Sequence, residues 1–117
     1  MKLCACALVL LFTLSGAQAA AFTPCADAAT APALAGSQCK VETVPADPSG
    51  AAGAKGEVAL FVRTFLAVGP RRGSVWLIAG GPGESGASFY GLLPKLRDTF
   101  PGFDLVIPDH RGTGEGE

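Results

Sequence analysis

The apolar positions of this chain fall into short runs that predict strands and one longer periodic stretch that predicts a helix. Residues 40–45, where Val41 and Val44 flank Glu42 and Thr43, predict a short edge strand ended by Pro45. Residues 57–68, Glu-Val-Ala-Leu-Phe-Val-Arg-Thr-Phe-Leu-Ala-Val, are rich in β-formers and long enough for one strand. Residues 75–79 are a continuous apolar run bounded by turn signals, which predicts a strand buried on both faces, as in a parallel sheet. Residues 103–108, Phe-Asp-Leu-Val-Ile-Pro, predict a second buried strand. Between these two, Phe89, Leu92, Leu93, Leu96 and Phe100 approximate the i, i+3, i+4, i+7 spacing of a helix over 87–100 that packs on the sheet. Gly91 weakens that helix, and Pro94 fits only a first turn or a kink.

Turns punctuate the elements at Asp47-Pro48-Ser49-Gly50, at Gly69-Pro70-Arg71-Arg72-Gly73 and at Pro101-Gly102. Two glycine loops follow the two buried strands: Gly80-Gly81-Pro82-Gly83-Glu84-Ser85-Gly86 after the first, and Asp109-His110-Arg111-Gly112-Thr113-Gly114 after the second. Strand, loop, helix, strand, loop reads as a βαβ unit in an α/β fold, with both loops at one carboxyl edge and antiparallel edge strands leading into it. Glycine allows close approach to the backbone. A glycine turn behind a strand therefore offers free N–H groups to an anion or to a developing negative charge.

The N-terminus changes the picture of the compartment. Met1-Lys2 precedes an apolar run over 3–14 and then Ser15-Gly16-Ala17-Gln18-Ala19-Ala20, the layout of a secretory signal peptide cleaved near Ala19. The run is short for a bilayer span, so no stable membrane anchor is expected, and the protein is expected to be exported, to a periplasm or outside the cell. The organisation is then a signal peptide over 1–19, an N-terminal arm over 20–38, loosely held apart from its cysteines, and one domain over 39–117. Net charge is −1 for the whole chain, and the loss of Lys2 takes it to about −2, which gives no electrostatic footprint for nucleic acid or an anionic membrane. Cys25 and Cys39 remain in the exported part, and an isolated pair there is most simply a disulfide. A metal half-site or a reactive thiol is the rival, but no His lies nearby and no Cys-x-x-Cys occurs. No cofactor is expected.

Three chemistries compete for the first glycine loop. Gly81-Pro82-Gly83-Glu84-Ser85-Gly86 fits the G-x-G-x-x-G of a dinucleotide site, with Asp109 at the end of the next strand as the ribose acid. Pro82 inside the phosphate turn, the Glu84 carboxylate and the export signal oppose it. The same stretch fits a P-loop except that Ala87 stands where the phosphate-binding lysine belongs.

The third reading uses both loops. Gly-Gly-Pro-Gly-x-Ser-Gly over 80–86 and Asp-x-Arg-Gly-x-Gly over 109–114 resemble the α/β-hydrolase family, most of all its prolyl-aminopeptidase and secreted tripeptidyl-aminopeptidase branch. The signal peptide, and a Cys shortly before an edge strand as at 39–45, are similar to the secreted members. The resemblance covers roughly 39–117 and implies the N-terminal part of an α/β-hydrolase sheet. It implies that the Gly81 N–H is one oxyanion-hole donor, a contribution worth about 3–4 kcal/mol in the transition state. Gly80, Pro82, Gly83, Ser85 and Gly86 would shape that loop, and Pro82 could follow a cis or a trans bond. Asp109, Arg111, Gly112 and Gly114 would hold the second loop beneath it through charge-assisted hydrogen bonds.

A serine hydrolase also needs a nucleophile on a sharp turn, a base and an orienting acid. No Gly-x-Ser-x-Gly occurs in the chain, Ser85 belongs to the oxyanion loop, and the single histidine, His110, lies in the second loop. The expectation is therefore an N-terminal piece of an exported serine hydrolase acting on small peptide, amide or ester substrates, inactive by itself, with its triad outside these residues and an open apolar sheet edge. The alternative from a different class is a small secreted binding module without catalysis.

Overall fold

The structure is a computed structural model, and it describes residues 20–51, 53 and 55–116. The signal peptide read at 1–19 lies outside these residues. Five strands form one sheet: β1 (Thr23–Pro24), β2 (Gln38–Pro45), β3 (Glu57–Phe65), β4 (Gly73–Trp76) and β5 (Phe103–Pro108), in the spatial order β1-β2-β3-β5-β4. The β1–β2, β2–β3 and β3–β5 pairings are antiparallel and only β4–β5 is parallel.

This corrects the expected fold class. The sheet is a small, mixed and mostly antiparallel one, accompanied among the described residues by a single short α-helix and three 3-10 helices, rather than the N-terminal βαβ unit of an α/β-hydrolase sheet. The chain between β4 and β5 is the clearest departure. Residues Gly86–Leu92 wind as a 3-10 helix, and α-helix is confined to α1 (Leu93–Thr99). An α-helix running through the whole stretch would need an N–H from residue 94 for the Tyr90 carbonyl, and Pro94 has none. The Leu93 N–H takes that carbonyl instead, in the tighter i→i+3 pattern, and Pro94 sits in the first turn of α1, where its missing donor costs nothing.

Alternation along β3 sets which side of the sheet carries the core. Phe61, Arg63 and Phe65 share one face, and Phe65 pairs in register with Leu105. Phe65, Leu105 and Ile107 form the buried centre with Leu34 and Leu93, flanked by Val75, Leu77, Phe89, Tyr90, Leu96 and Phe100. The 75–79 segment is not buried on both faces as expected. β4 pairs only with β5, and Trp76 and Ile78 on the opposite face are each 59% exposed. A continuous apolar run does not reveal whether one face or two are covered, and here Val75 and Leu77 pack on the core and Ala79 is buried, while the alternate residues face outward. β2 starts two residues before the expected 40–45, and β1 pairs only with those first two residues, which leaves 40–45 along the sheet's edge.

The N-terminal arm is held far more firmly than expected. Cys25 and Cys39 form a disulfide with Cα atoms 5.0 Å apart. The Cys25 N–H donates to Ser37 O at 3.1 Å, and Leu34 fills the core beside Phe65. Reducing this disulfide is expected to lower stability by about 3 kcal/mol, chiefly by freeing the unfolded chain. The urea midpoint with and without a dithiol reductant measures the loss, and an unchanged midpoint contradicts it.

Candidate functional site

The two glycine loops meet. β5 ends at Pro108, and the Asp109 N–H donates to Phe61 O at 2.9 Å, which prolongs the antiparallel register of β3 and β5 by one bond. This bond fixes Asp109 at the sheet's end, where its side chain is 6% exposed. One carboxylate oxygen, Oδ1, accepts from the buried Gly86 N–H at 2.7 Å, and the other, Oδ2, accepts from the Glu115 N–H at 2.9 Å. A single buried anion thus ties the last residue of the first loop to the far end of the second. Backbone N–H donors directed at an ionised acceptor make short, strong bonds of this kind.

Two of the glycines are required by this packing. A Cβ at Gly86 would lie 2.5 Å from Ile107 Cγ2 and 3.0 Å from Pro108 O, so a side chain would push the first loop off the sheet. Gly114 has φ +57°, and a Cβ there would collide with the Asp109 carboxylate. Close approach, as well as turn geometry, therefore selects glycine at both places.

Within the first loop, Gly80, Gly81, Pro82 and Gly83 lie exposed in a turn, with φ +61° at Gly81 and +82° at Gly83. The Gly81–Pro82 bond is trans. Among the described residues none accepts a hydrogen bond from the Gly81 N–H. The Glu84 carboxylate stands beside this turn, 3.7 Å from where a Gly81 Cβ would be. Ser85 caps the 3-10 helix, its Oγ accepting from the Ala87 N–H at 3.3 Å. In the second loop His110 Nε2 lies 2.7 Å from the Ala79 carbonyl, and Arg111 Nη1 donates to Ala46 O at 2.9 Å, reaching the β2–β3 turn. Gly112 sits in the exposed turn that follows, and Thr113 closes it with backbone and side-chain bonds to His110 O. Of the sequence-predicted loop residues, Gly86 and Gly114 are brought against Asp109, whereas Gly80, Gly81, Pro82, Gly83 and Gly112 lie in exposed turns, Arg111 reaches Ala46 instead of the first loop, and Cys25 and Cys39 serve the arm.

Sequence reasoning missed the charge network at the arm. Arg63 is 3% exposed, and its guanidinium holds both oxygens of Asp27, at 3.1 and 2.7 Å. The same group donates to the buried Ser37 Oγ and, through Nε, to Tyr90 Oη, each at 2.9 Å. Tyr90 lies in the 3-10 helix that follows the first loop, so the network reaches from the arm to the site. The Arg63 bonds hold the Asp27 carboxyl below its ordinary value, and burial pushes the Tyr90 phenol up. The available signal was parity, since Arg63 occupies a core-facing position between Phe61 and Phe65.

Asp104 is a second buried carboxylate. Its Oδ1 accepts from the Ala67 N–H at 2.8 Å and its Oδ2 from Arg71 Nε. Burial pulls this carboxyl up, but the Ala67 and Arg71 bonds outweigh it and hold it below the ordinary value. Both Asp27 and Asp104 thus bind protons less readily folded than unfolded. Their contribution to stability is complete above the unfolded carboxyl value of about 4 and is lost as pH falls through the lower folded values. Denaturation midpoints are expected to hold from neutrality to about pH 5 as far as these two groups are concerned, and to drop below about pH 4. Asp104→Asn should flatten part of that drop, and an identical acid profile in the variant contradicts the assignment.

Among the described residues no group of three or more His, Cys, Asp or Glu side chains is placed to hold a metal ion, and no helix is long and apolar enough to cross a membrane. No family model and no curated protein matches the chain.

Proposed function

We propose that this chain supplies the oxyanion-stabilising loop of an exported serine hydrolase, one that cleaves small peptide, amide or ester substrates through an acyl-enzyme. The observation that carries the reading is the Asp109 bridge. It ties the exit of the first glycine loop to the far end of the second and leaves the Gly81 N–H in an exposed turn with no acceptor among the described residues. A preorganised backbone donor of this kind is what a tetrahedral acyl intermediate requires. The order of the two glycine motifs, similar to that of the secreted aminopeptidases, supports peptide or amide substrates, and the Cys25–Cys39 disulfide supports export to an oxidising compartment.

The remaining chemistry is assigned outside these residues. Ser85 Oγ accepts from the Ala87 N–H and His110 Nε2 meets the Ala79 carbonyl, and no hydrogen bond joins Ser85 to His110 as a nucleophile and base would require. The chain alone is expected to turn over neither p-nitroanilide nor p-nitrophenyl ester substrates. Reading the coding DNA in frame past Glu117 tests the proposal. A Gly-x-Ser-x-Gly turn followed by Asp and His supports it, and a stop codon directly after Glu117 removes hydrolysis from the chain's repertoire. A binding role is then what remains.

A further inference from the structure

The Asp109 bridge accounts for one end of the first glycine loop, and its sequence neighbour meets the other end. Asp109 Oδ1 accepts from Gly86, the last residue of the loop, and His110 Nε2 lies against the carbonyl of Ala79, the residue immediately before it. Both contacts measure 2.7 Å. Ala79 is buried and is followed directly by the exposed turn that contains Gly81. We infer that Asp109 and His110 act together as a two-point clamp that fixes the span of the 80–86 loop, with His110 as a positioning residue for the Gly81 turn.

The chemistry of the contact specifies the proton. A carbonyl oxygen only accepts, so Nε2 must carry the hydrogen, and in the neutral ring Nδ1 is the bare nitrogen. Holding both ends of a seven-residue segment removes much of the freedom that a run of glycines would otherwise keep. Neither anchor alone does this. With Asp109 only, the loop is pinned at its exit, and its entrance keeps just the burial of Ala79 and the Leu77 N–H bond to Val106 O. The use of the clamp in stabilising an oxyanion rests on the serine-hydrolase reading. The clamp itself does not.

The test is nuclear magnetic resonance on the isotopically labelled 117-residue chain, which needs no activity and so separates the clamp from the hydrolase reading. Ring nitrogen shifts are expected to show the Nε2–H form of His110. His110→Ala should move the Gly80 and Gly81 amide signals and speed exchange of the Gly86 amide about fivefold, the worth of one ordinary hydrogen bond. Side-chain geometry supplies a rescue test. The Nε2 of glutamine stands the same number of bonds from Cα as that of histidine, whereas the amide nitrogen of asparagine is one bond shorter. His110→Gln is therefore expected to restore the wild-type signals, and His110→Asn to behave as the alanine variant. An Nδ1–H ring, or Gly80 and Gly81 signals that stay in place in the alanine variant, overturns the clamp.

Discussion

Replacing Asp109 by alanine is expected to cost about 3–5 kcal/mol. Two backbone donors lose an ionised acceptor at once, and a hydrogen bond to a charged group is worth about 1.5–3 kcal/mol. Gly86 is buried, so its N–H has no ready access to water in exchange. Domains are stable by only about 5–15 kcal/mol, so at the low end of that range the loss would bring the variant near unfolding. Asp109→Asn is the informative companion. Its amide keeps one acceptor oxygen, but its nitrogen presents a donor to whichever N–H it faces, so about half the loss is expected. Urea midpoints at constant m-value measure both variants, and a shift below about 1 kcal/mol for the alanine variant contradicts the bridge.

The second large effect is asymmetric. Asp27→Ala is expected to destabilise the protein by about 3 kcal/mol, because it strands the guanidinium of Arg63, which is almost wholly buried. That figure sits at the low end for breaking a buried pair, since the Asp27 side chain is half exposed and water screens part of the attraction. Arg63→Met should cost less, about 1–3 kcal/mol, because the aspartate it leaves behind is solvated and only the Ser37 and Tyr90 hydroxyls lose a partner. The double variant is the decisive one. If the stranded charge is the cause, adding Arg63→Met to Asp27→Ala recovers stability, and a double-mutant cycle shows strong coupling. Additive losses would mean that the pair contributes through packing alone.

The strands over 57–65 and 103–108 were legible because β-branched and aromatic residues crowd into short runs there, and Asp109 was legible because it sits between a strand and two glycines. What stayed hidden is non-local. Nothing along the chain announces that β5 lies between β3 and β4, since that order depends on which edges meet in space. Arg63 and Asp27 are 36 residues apart, and neither has a local pattern that names the other. The helix was overextended because apolar periodicity persists through 86–92 while the hydrogen bonds do not, and Pro94 was the residue that decided it. The arm reads as loose because Ala, Thr and Pro carry little periodicity, yet Leu34 in the core and Asp27 on Arg63 anchor it through contacts that periodicity does not register.

The claim on which the site depends is that one buried carboxylate joins the two glycine loops. Hydrogen-bond scalar couplings in the labelled chain test it directly. Correlations are expected from the amide nitrogens of both Gly86 and Glu115 to the side-chain carboxyl carbon of Asp109. Loss of both correlations, with both amides exchanging as fast as in an open chain, would show that the loops are not joined and would leave the Gly81 turn without its framework.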